Sequence, residues 1–385
     1  MARRALGSTS PNPAVGAVVV KDGRVVGEGF TQPPGCAHAE VMALASAGAR
    51  ARGASMYVTL EPCAHFGRTP PCADAIVEAG IEEVHIAILD PNPLVNGQGR
   101  LRLERAGVRT HLGEGADEAT EINEAFMKHV TTGCPFVTAK WAMSLDGKIA
   151  TRSGDSKWLT GITARAYAHY LRAINDAVVV GVGTVLADDP RLTVRIPEDL
   201  PPDSTPAGLW PCHPRQPLRV VLDSRGRIPT MARILDVSEG PSMVATTERM
   251  SPSARRDIEA RGAEVLVVPE RDGLVDLRAV IGALGERGVM GVLIEGGGQV
   301  LGSAMFDGLV DKVCAFIAPK IVGGDDAPSP VRGIGAPNMA HVINLRRQRL
   351  FAVGEDALLI GYTSGVSPWG ETTLAGSGQA IKAEG

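Results

Sequence analysis

At 385 residues the chain is too long for one ordinary hydrophobic core, so its length predicts two or three domains. Apolar residues make up 44% and charged residues 21%, a balance typical of a globular protein. The net charge of -4, with no run of Lys or Arg, argues against a broad basic surface for nucleic acid, although a few local arginines can still hold a small anion.

The six cysteines are sparse and irregularly spaced, unlike the disulfide framework of a small secreted domain. No apolar run reaches the about 18 residues that cross a bilayer, and the segment closest to one, 177–187, is typical of a buried strand and turn. The first residues have no signal-peptide apolar core. These features predict a cytoplasmic location.

The first third of the chain alternates strand and helix patterns. The predicted strands are 14–21, 24–30, 55–60, 84–89 and 108–112, with Asp22-Gly23 as a hairpin turn between the first two. The predicted helices are 39–50, 72–79, 98–106 and 117–128. This alternation predicts a mixed sheet covered by helices.

A second alternating pattern begins after 131–135, a segment whose composition predicts a domain boundary. Its predicted strands are 136–141, 177–182, 218–222, 243–246, 264–268, 290–294 and 313–317. Its predicted helices are 164–174, 252–261, 274–287 and 299–305, with Ser251 before Pro252 as a start signal. The proline-rich segment 196–217 is predicted to be an exposed insertion, and 364–385 a disordered tail.

The motif with the most chemical content is His38-Ala39-Glu40, followed by Pro62-Cys63 and Cys72. One histidine and two cysteines supply three zinc ligands, and a catalytic zinc keeps a fourth position for water. At the entry of a helix His38 can face the same site as Glu40, and Cys72 likewise begins a helix. Glu40 is then placed to carry a proton to a leaving amine, which is the chemistry of nucleobase deamination.

The spacing of the two cysteines departs from the general deaminase pattern, P-C-x-x-C, because eight residues separate Cys63 from Cys72. The intervening segment has two prolines and a glycine, so it can form a compact loop that returns Cys72 to the metal. His65 or Cys36 can substitute as a ligand, and a structural zinc or no metal at all stays an alternative. Asn12, in Ser10-Pro11-Asn12-Pro13, can bind a pyrimidine edge or simply shape a turn.

A glycine triplet, Gly296-Gly297-Gly298, stands between a predicted strand and a predicted helix. Glycines there let backbone N–H groups approach a phosphate, although a plain tight turn is an equal alternative. The triplet is not G-x-G-x-x-G, so no Rossmann domain is predicted.

Taken together, these motifs resemble the bifunctional pyrimidine deaminase/reductase family of riboflavin biosynthesis. The long spacing between the cysteines is the form that this family uses. The resemblance covers about residues 6–362 and rests on segments 9–16, 38–40, 61–72, 90–93, 140–150, 183–190 and 295–298. Only residues 1–9 precede Ser10 of the Ser-Pro-Asn-Pro motif, whereas the family usually begins with a longer helix, so we expect a late start or a trimmed helix.

The resemblance implies an α/β fold: a cytidine-deaminase-like α/β/α domain at 1–133 and a dihydrofolate-reductase-like α/β domain at 134–363. It implies that the first domain, with Zn2+, replaces a ring amino group of a diaminopyrimidinone ribotide by oxygen. It implies that the second domain, with NADPH, reduces the ribosyl group to ribityl.

Matching positions imply roles for particular residues. The implied metal ligands are His38, Cys63 and Cys72, and the implied catalytic residue is Glu40. The implied cofactor contacts are Ala142, Trp158, Thr184, Asp188, Gly296, Gly297, Gly298, Gln299, Val300, Leu301 and Gly302. The substrate contacts are Ser156, Arg172, Leu192, Arg195 and Glu295, with Asn12 as a further candidate. Arg172 and Arg195 suit a phosphate, the alternative for each being a solvated arginine, and Lys140 and Asp146 receive no firm role.

The expected partners are a small-molecule pyrimidine ribotide and further copies of the chain, with no nucleic acid and no membrane. Two rival interpretations remain: a deaminase of another base, including a nucleic-acid base, and a zinc-stabilised binding protein with a decayed reductase half. The acidic balance and the second domain argue against nucleic acid.

Overall fold

Two separate sheets organise the chain, which a computed structural model describes at residues 1–66, 70–92, 95–195 and 210–363. The first sheet contains β1 (Gly16–Lys21), β2 (Arg24–Phe30), β3 (Ser55–Val58), β4 (Glu83–Ile86) and β5 (Arg109–Leu112) in the order β2-β1-β3-β4-β5. β1 pairs antiparallel with β2 and β3, and the pairs from β3 to β5 are parallel. The predicted mixed sheet is therefore confirmed.

Five helices accompany this sheet in the described residues: α1 (Ala39–Ala47), α2 (Cys72–Ala79), α3 (Gln98–Arg105), α4 (Ala116–Ile122) and α5 (Glu124–Thr132). Side chains alternate between the two faces of a strand, so Val84 and Ile86 point to the same side. They share a buried apolar cluster with Ala73 and Ile76 of α2. This packing fixes where α2 begins, and with it the position of Cys72.

The prediction of one helix over 117–128 was wrong, because Asn123 separates α4 from α5. The Asn123 side chain accepts a hydrogen bond from the Ala14 N–H at 2.9 Å and donates one to the Ala14 carbonyl at 3.2 Å. These bonds join residues 109 positions apart, which hydrophobic periodicity does not register.

The second sheet has nine strands in the described residues. They are β6 (Phe136–Ser144), β7 (Ala177–Gly181), β8 (Leu218–Leu222), β9 (Ser242–Thr246), β10 (Glu264–Val267), β13 (Gly291–Glu295), β14 (Lys312–Ala318), β15 (Arg346–Val353) and β16 (Asp356–Tyr362). Their order is β10-β9-β8-β7-β13-β6-β14-β16-β15, parallel except for the last two pairs. A small hairpin pairs β11 (Glu270–Arg271) with β12 (Leu274–Val275). All seven predicted strands are present, whereas β15 and β16 were not predicted.

Helices cover both faces of this sheet: α6 (Ile162–Ile174), α7 (Val182–Asp188), α8 (Pro252–Ala260), α9 (Leu277–Glu286) and α10 (Gly298–Phe306). Ser251 caps α8 as predicted, accepting a hydrogen bond from the Ala254 N–H. α9 begins three residues later than predicted, because β12 uses 274–275 and Asp276 caps the helix.

The predicted exposed insertion at 196–217 lies partly outside the described residues, and the predicted tail, 364–385, lies wholly outside them. In the described part of the insertion, residues 212–216 are exposed as predicted, whereas Trp210, Pro211 and Pro217 are partly or fully buried. Trp210 packs edge-on against Tyr170, with ring centroids 6.4 Å apart. Gln216 bonds the backbone of Val194 in both directions, at 2.7 and 3.1 Å. In the described part of the chain, no helix is long and apolar enough to cross a membrane.

Ion pairs join α5 to the second sheet. Lys128 lies 2.6 Å from Asp311, and Lys312 lies 2.7 Å from Glu124. The Tyr362 hydroxyl also donates to Glu124 at 2.9 Å. Because these charged groups are largely buried, each depends on its partner across the contact.

Candidate active sites

A histidine and two cysteines from three different segments converge in the first unit. His38 is the N-cap residue of α1, with extended backbone angles of -76° and 165°, and Cys72 is the first residue of α2. The His38 Nδ1 atom lies 3.2 Å from the Cys72 Sγ atom and 3.7 Å from the Cys63 Sγ atom. The three ligand atoms lie within 4.8 Å of one another, close enough to share one ion.

The two substitute ligands considered from the sequence, His65 and Cys36, are absent from this group within the described residues. The loop between Cys63 and Cys72 is described only up to 66 and from 70. At its end, the Cys72 N–H donates to the Cys63 sulfur at 3.3 Å and the Ala73 N–H donates to the Cys63 carbonyl at 3.1 Å. The start of α2 therefore holds both cysteines in place.

The thiols of Cys63 and Cys72 differ in pKa. A hydrogen bond from Cys72, assisted by one from His38, lowers the pKa of Cys63 to about 4 despite its burial. The hydrogen bond with Cys63, together with burial, raises the pKa of Cys72. A thiolate is the ligand form of cysteine, so Cys63 is ready to bind a cation at neutral pH.

Glu40 lies two residues beyond His38, in the first turn of α1, and is only 4% exposed. Burial raises the pKa of its carboxyl to about 7. A carboxyl of this kind exchanges a proton near neutral pH, as a general acid–base group must.

Sequence reasoning missed Glu61, which organises the loop on the other side of Cys63. Its buried carboxylate accepts hydrogen bonds from the backbone N–H groups of Asp90, Gly97 and Arg100, at 3.1, 2.9 and 3.0 Å. Gly99 allows this loop to approach, since a Cβ there would lie 1.8 Å from the Pro62 carbonyl oxygen. The Glu-Pro-Cys sequence was the only available signal for Glu61.

Asn12 forms part of a turn before the first strand. Its N–H donates to the Thr9 carbonyl at 2.7 Å, which fits the turn that its sequence context predicts. It lines a small cavity of about 40 Å³ together with Ile122 and Ile174. Its contact with a pyrimidine stays a prediction.

A cavity of about 640 Å³ opens in the second unit. Seven predicted contact residues line it: Ala142, Ser156, Trp158, Arg172, Asp188, Leu192 and Arg195. Four further cations also line it: Lys140, which the sequence gave no firm role, and Lys157, Arg191 and Arg233, which sequence reasoning did not single out. The lining therefore has more cations than carboxylates, although Arg191 pairs with Glu239 at 2.5 Å and Arg233 with Asp189 at 2.9 Å. An excess of cations suits phosphate groups.

The cavity cations differ in their partners. Arg172 makes two bonds to Glu295, at 2.6 and 2.8 Å, and Lys140 lies 3.9 Å from the same carboxylate. Burial raises the pKa of Glu295, but Arg172 and Lys140 outweigh burial and lower it to about 2. Arg195 instead donates to the hydroxyl of Thr193. Of the two predicted phosphate-binding arginines, Arg195 is thus the one less committed to a carboxylate in the described contacts.

The predicted glycine loop has two distinct parts. Gly296 and Gly297 have positive φ angles of 83° and 77°, and a Cβ on Gly297 would lie 3.5 Å from the Thr184 hydroxyl. These glycines adjoin the N-terminus of α10, an arrangement that suits a phosphate.

Residues 298–302, which follow these two glycines, mostly pack against other parts of the second unit. A Cβ on Gly302 would lie 1.7 Å from the Arg332 carbonyl oxygen, and one on Gly298 would lie 2.8 Å from the Arg332 side chain. Leu301 is 1% exposed within the core, whereas Gln299 is exposed. Val300 is partly buried against Gly181. Any cofactor contact at Leu301 would thus involve its backbone.

The Asp146 carboxylate has a structural role in the described contacts. Its carboxylate accepts hydrogen bonds from the Ser144 hydroxyl and from the N–H groups of Val322 and Gly323, at 2.6, 3.0 and 2.7 Å. These bonds lower the pKa of Asp146 to about 2. The arrangement ties the end of β6 to the segment after β14.

Comparison with known proteins matches both units. Residues 1–88 match the cytidine and deoxycytidylate deaminase zinc-binding region, and residues 135–359 match the RibD C-terminal domain. The chain is 40% identical to the riboflavin biosynthesis protein RibD of Aquifex aeolicus (strain VF5) over 360 residues, 93% of this chain and 94% of that protein. It is also 40% identical to RibD of Escherichia coli (strain K12) over 364 residues, 93% of this chain and 95% of that one.

Two solved structures are similar over nearly the whole chain. Acinetobacter baumannii RibD superposes with a TM-score of 0.80 at 38% identity, covering 94% of this chain and 96% of that one. A Thermotoga maritima protein has a TM-score of 0.77 at 34% identity, covering 94% and 95%. With the predicted pair of α/β domains present in order, the chain belongs to the RibD family of riboflavin biosynthesis proteins.

Proposed function

We propose that this chain catalyses two successive steps of riboflavin biosynthesis, a hydrolytic deamination by residues 1–133 and an NADPH-dependent reduction by residues 134–363. The observation that carries the proposal is the convergence of His38, Cys63 and Cys72 beside the buried Glu40, on the same chain as a cationic cavity. The boundary is supported by the end of α5 at Thr132 and the start of β6 at Phe136 in the other sheet.

The description of a similar protein supports the assignment of the substrate. The Thermotoga maritima protein is described as a diaminohydroxyphosphoribosylaminopyrimidine deaminase/5-amino-6-(5-phosphoribosylamino)uracil reductase. The corresponding substrate here is a diaminopyrimidinone ribotide, whose ring amino group is replaced by oxygen and whose ribosyl group is then reduced to ribityl.

One imidazole and two sulfurs suit zinc, and His38, Cys63 and Cys72 would hold it with one position open. When bound, zinc supplies a Lewis acid that lowers the pKa of water. Glu40 accepts a proton from the attacking water and delivers it to the departing amine. The bond between the ring carbon and the exocyclic amino nitrogen breaks, a ring carbonyl forms and ammonia leaves.

In the second unit, the charge and size of the cavity fit a nucleotide cofactor together with a phosphorylated substrate. NADPH supplies the hydride when bound. We assign cofactor binding to Ala142, Trp158, Thr184, Asp188 and the segment 296–302, and substrate binding to Ser156, Leu192 and Arg195. Glu295 acts on the substrate through Arg172. The Arg172 guanidinium donates two hydrogen bonds to the Glu295 carboxylate and one to the Thr193 carbonyl, and these bonds fix its orientation.

The direct test is incubation of the full chain with the diaminopyrimidinone ribotide, with and without NADPH, resolving each product. We expect ammonia without NADPH, and a ribityl product only with it. Ammonia in neither condition would refute the deaminase assignment, and NADPH left unoxidised with the deaminated compound would refute the reductase assignment.

A cytoplasmic location and a homo-oligomeric state stay proposals. The first is supported by the sparse, irregularly spaced cysteines, which are unlike the disulfide framework of a secreted domain. The second is supported by exposed apolar side chains on the second unit, among them Ile321, Ile334, Met339 and Leu350. Light scattering on the purified chain measures the second directly.

A further inference from the structure

Outside both active sites, one face of the first sheet carries a second group of potential metal ligands: Glu83, His85 and His111. His85 on β4 pairs in register with His111 on β5 and with Tyr57 on β3. The three rings stack, with centroids 4.3 Å apart between Tyr57 and His85 and 4.6 Å apart between the two histidines. The stack limits how far either imidazole can rotate.

This group lies on the face of the sheet opposite the deaminase site. Glu83 and His85 alternate along β4 with Val84 and Ile86, which are fully buried against α2. α2 carries Cys72 at its start, so the sheet separates the two ligand groups. A metal on this face would be independent of the one beside Glu40.

The Glu114 carboxylate favours one tautomer of His85. The His85 Nδ1 atom lies 3.0 Å from a carboxylate oxygen of Glu114, and a carboxylate only accepts hydrogen bonds. In a neutral imidazole, Nδ1 then carries the proton and Nε2 keeps its lone pair. That Nε2 atom is buried and has no hydrogen-bond partner among the described residues.

The Nε2 atoms of both histidines lie near the Glu83 carboxylate. The His85 Nε2 atom lies 3.8 Å from Glu83 Oε1, and the His111 Nε2 atom lies 3.5 Å from Glu83 Oε2. Both distances are long for hydrogen bonds. They are close to the separation of about 3.4 Å between two ligand atoms that each lie about 2.0–2.1 Å from one tetrahedral ion.

Glu83 also has other partners. The Ser55 hydroxyl donates to its Oε1 at 2.7 Å, and Arg109 lies 3.2 Å from its Oε2. The Arg109 guanidinium also bonds Glu82, at 3.0 Å, so it keeps a carboxylate partner if a metal takes the Oε2 lone pair. Ser55 fixes the orientation of Glu83 without occupying both of its oxygens.

We propose that Glu83, His85 and His111 form a second metal site that binds a divalent ion of the zinc class, with Glu114 orienting His85. Two imidazoles and one carboxylate are a ligand set that zinc, cobalt and nickel accept, with a further position for water. A carboxylate on the second imidazole nitrogen is the usual outer partner of a metal-binding histidine. The ion would join β4 to the edge strand β5.

Cobalt distinguishes the two sites, since only the site with Cys63 and Cys72 gives sulfur-to-cobalt charge-transfer absorption. The full chain is stripped of metal, loaded with Co2+ and freed of excess, and its cobalt content and absorption spectrum are measured. We expect two equivalents per chain for the wild type and one for His111→Gln, with the charge-transfer band unchanged. His213→Gln, at an exposed histidine elsewhere, is the matched control and should keep both equivalents.

Two further variants sharpen the test. His85→Gln should show the same loss as His111→Gln, and Glu114→Gln should weaken the second equivalent by about 10- to 100-fold without abolishing it. Retention of the charge-transfer band and of ammonia release shows that each variant is folded. One equivalent in the wild type, or equal cobalt content in the wild type and His111→Gln, overturns the proposal.

Discussion

The deaminase site and the reductase cavity assemble their charged groups in different ways. His38 and Cys72 are 34 residues apart, and each stands where a helix begins. Arg172 and Glu295 are 123 residues apart, on a helix and a strand that meet only through packing of the second sheet. The ligands of the deaminase site lie close together in the sequence, whereas the charged groups of the reductase cavity come from most of a domain.

This difference predicts different responses to substitution. The deaminase site has a few buried groups with one role each, so removing any of them should abolish a step. The reductase cavity distributes its positive charge over Lys157, Arg191, Arg195 and other residues, so removing one cation should weaken binding while leaving the chemistry in place.

The largest effect is expected for Cys72→Ser, because a hydroxyl is a poor zinc ligand at neutral pH. Zinc content should fall well below one per chain and ammonia release should fall with it, while NADPH oxidation with the deaminated substrate continues. Cys134→Ser, at an exposed cysteine, is the control. Full zinc occupancy in Cys72→Ser would identify His65 or Cys36 as the ligand instead.

Glu40→Gln should keep zinc and folding but slow ammonia release by about 10²- to 10⁴-fold, the usual contribution of a general acid–base group. The matched control is Glu78→Gln, on the exposed face of α2. Near-normal ammonia release by Glu40→Gln would contradict the proton-transfer role of Glu40.

Glu295→Gln should destabilise the second unit by about 3–5 kcal/mol, because it leaves Arg172 and Lys140 buried without their counter-charge. Urea unfolding measures the loss, with Glu286→Gln at the exposed end of α9 as the control. An unchanged midpoint would mean that the carboxylate does not balance the two cations.

The ion pair of Glu295 with Arg172 also predicts that the stability of the second unit depends on pH. The pKa of Glu295 is about 2 in the folded chain, below the about 4.3 of an unfolded one. Its contribution to stability is therefore complete above the unfolded value and is lost as the pH falls toward 2. Stability curves between pH 5 and 2 should fall more steeply for the wild type than for Glu295→Gln.

The smallest effect is expected for Arg195→Met. Losing one charge-assisted hydrogen bond to a phosphate costs about 1.5–3 kcal/mol, so KM for the substrate should rise about 10- to 150-fold with little change in kcat. Arg256→Met, at an exposed arginine on α8, is the control. A fall in kcat at unchanged KM would place Arg195 in the chemical step rather than in binding.

Much of the fold was predictable because local signals agreed with the final packing. The strand Arg24–Phe30 and the helix Cys72–Ala79 have the predicted bounds, since a hairpin turn and apolar spacing mark them. The break at Asn123 and the packing of Trp210 were not predictable, because both depend on partners far away in the sequence.

The sequence by itself predicted the deaminase ligands and Glu40, because each residue type at that spacing has few other uses. It also determined the family, through the loop between the cysteines and the motifs of the second half. Only the tertiary structure placed Glu61, Lys157 and Arg233 around the two sites and paired Arg172 with Glu295. The physical reason is that a metal site is specified by chemically distinctive atoms, whereas a charged cavity is specified by which ordinary arginines and lysines the packing of the sheet brings together.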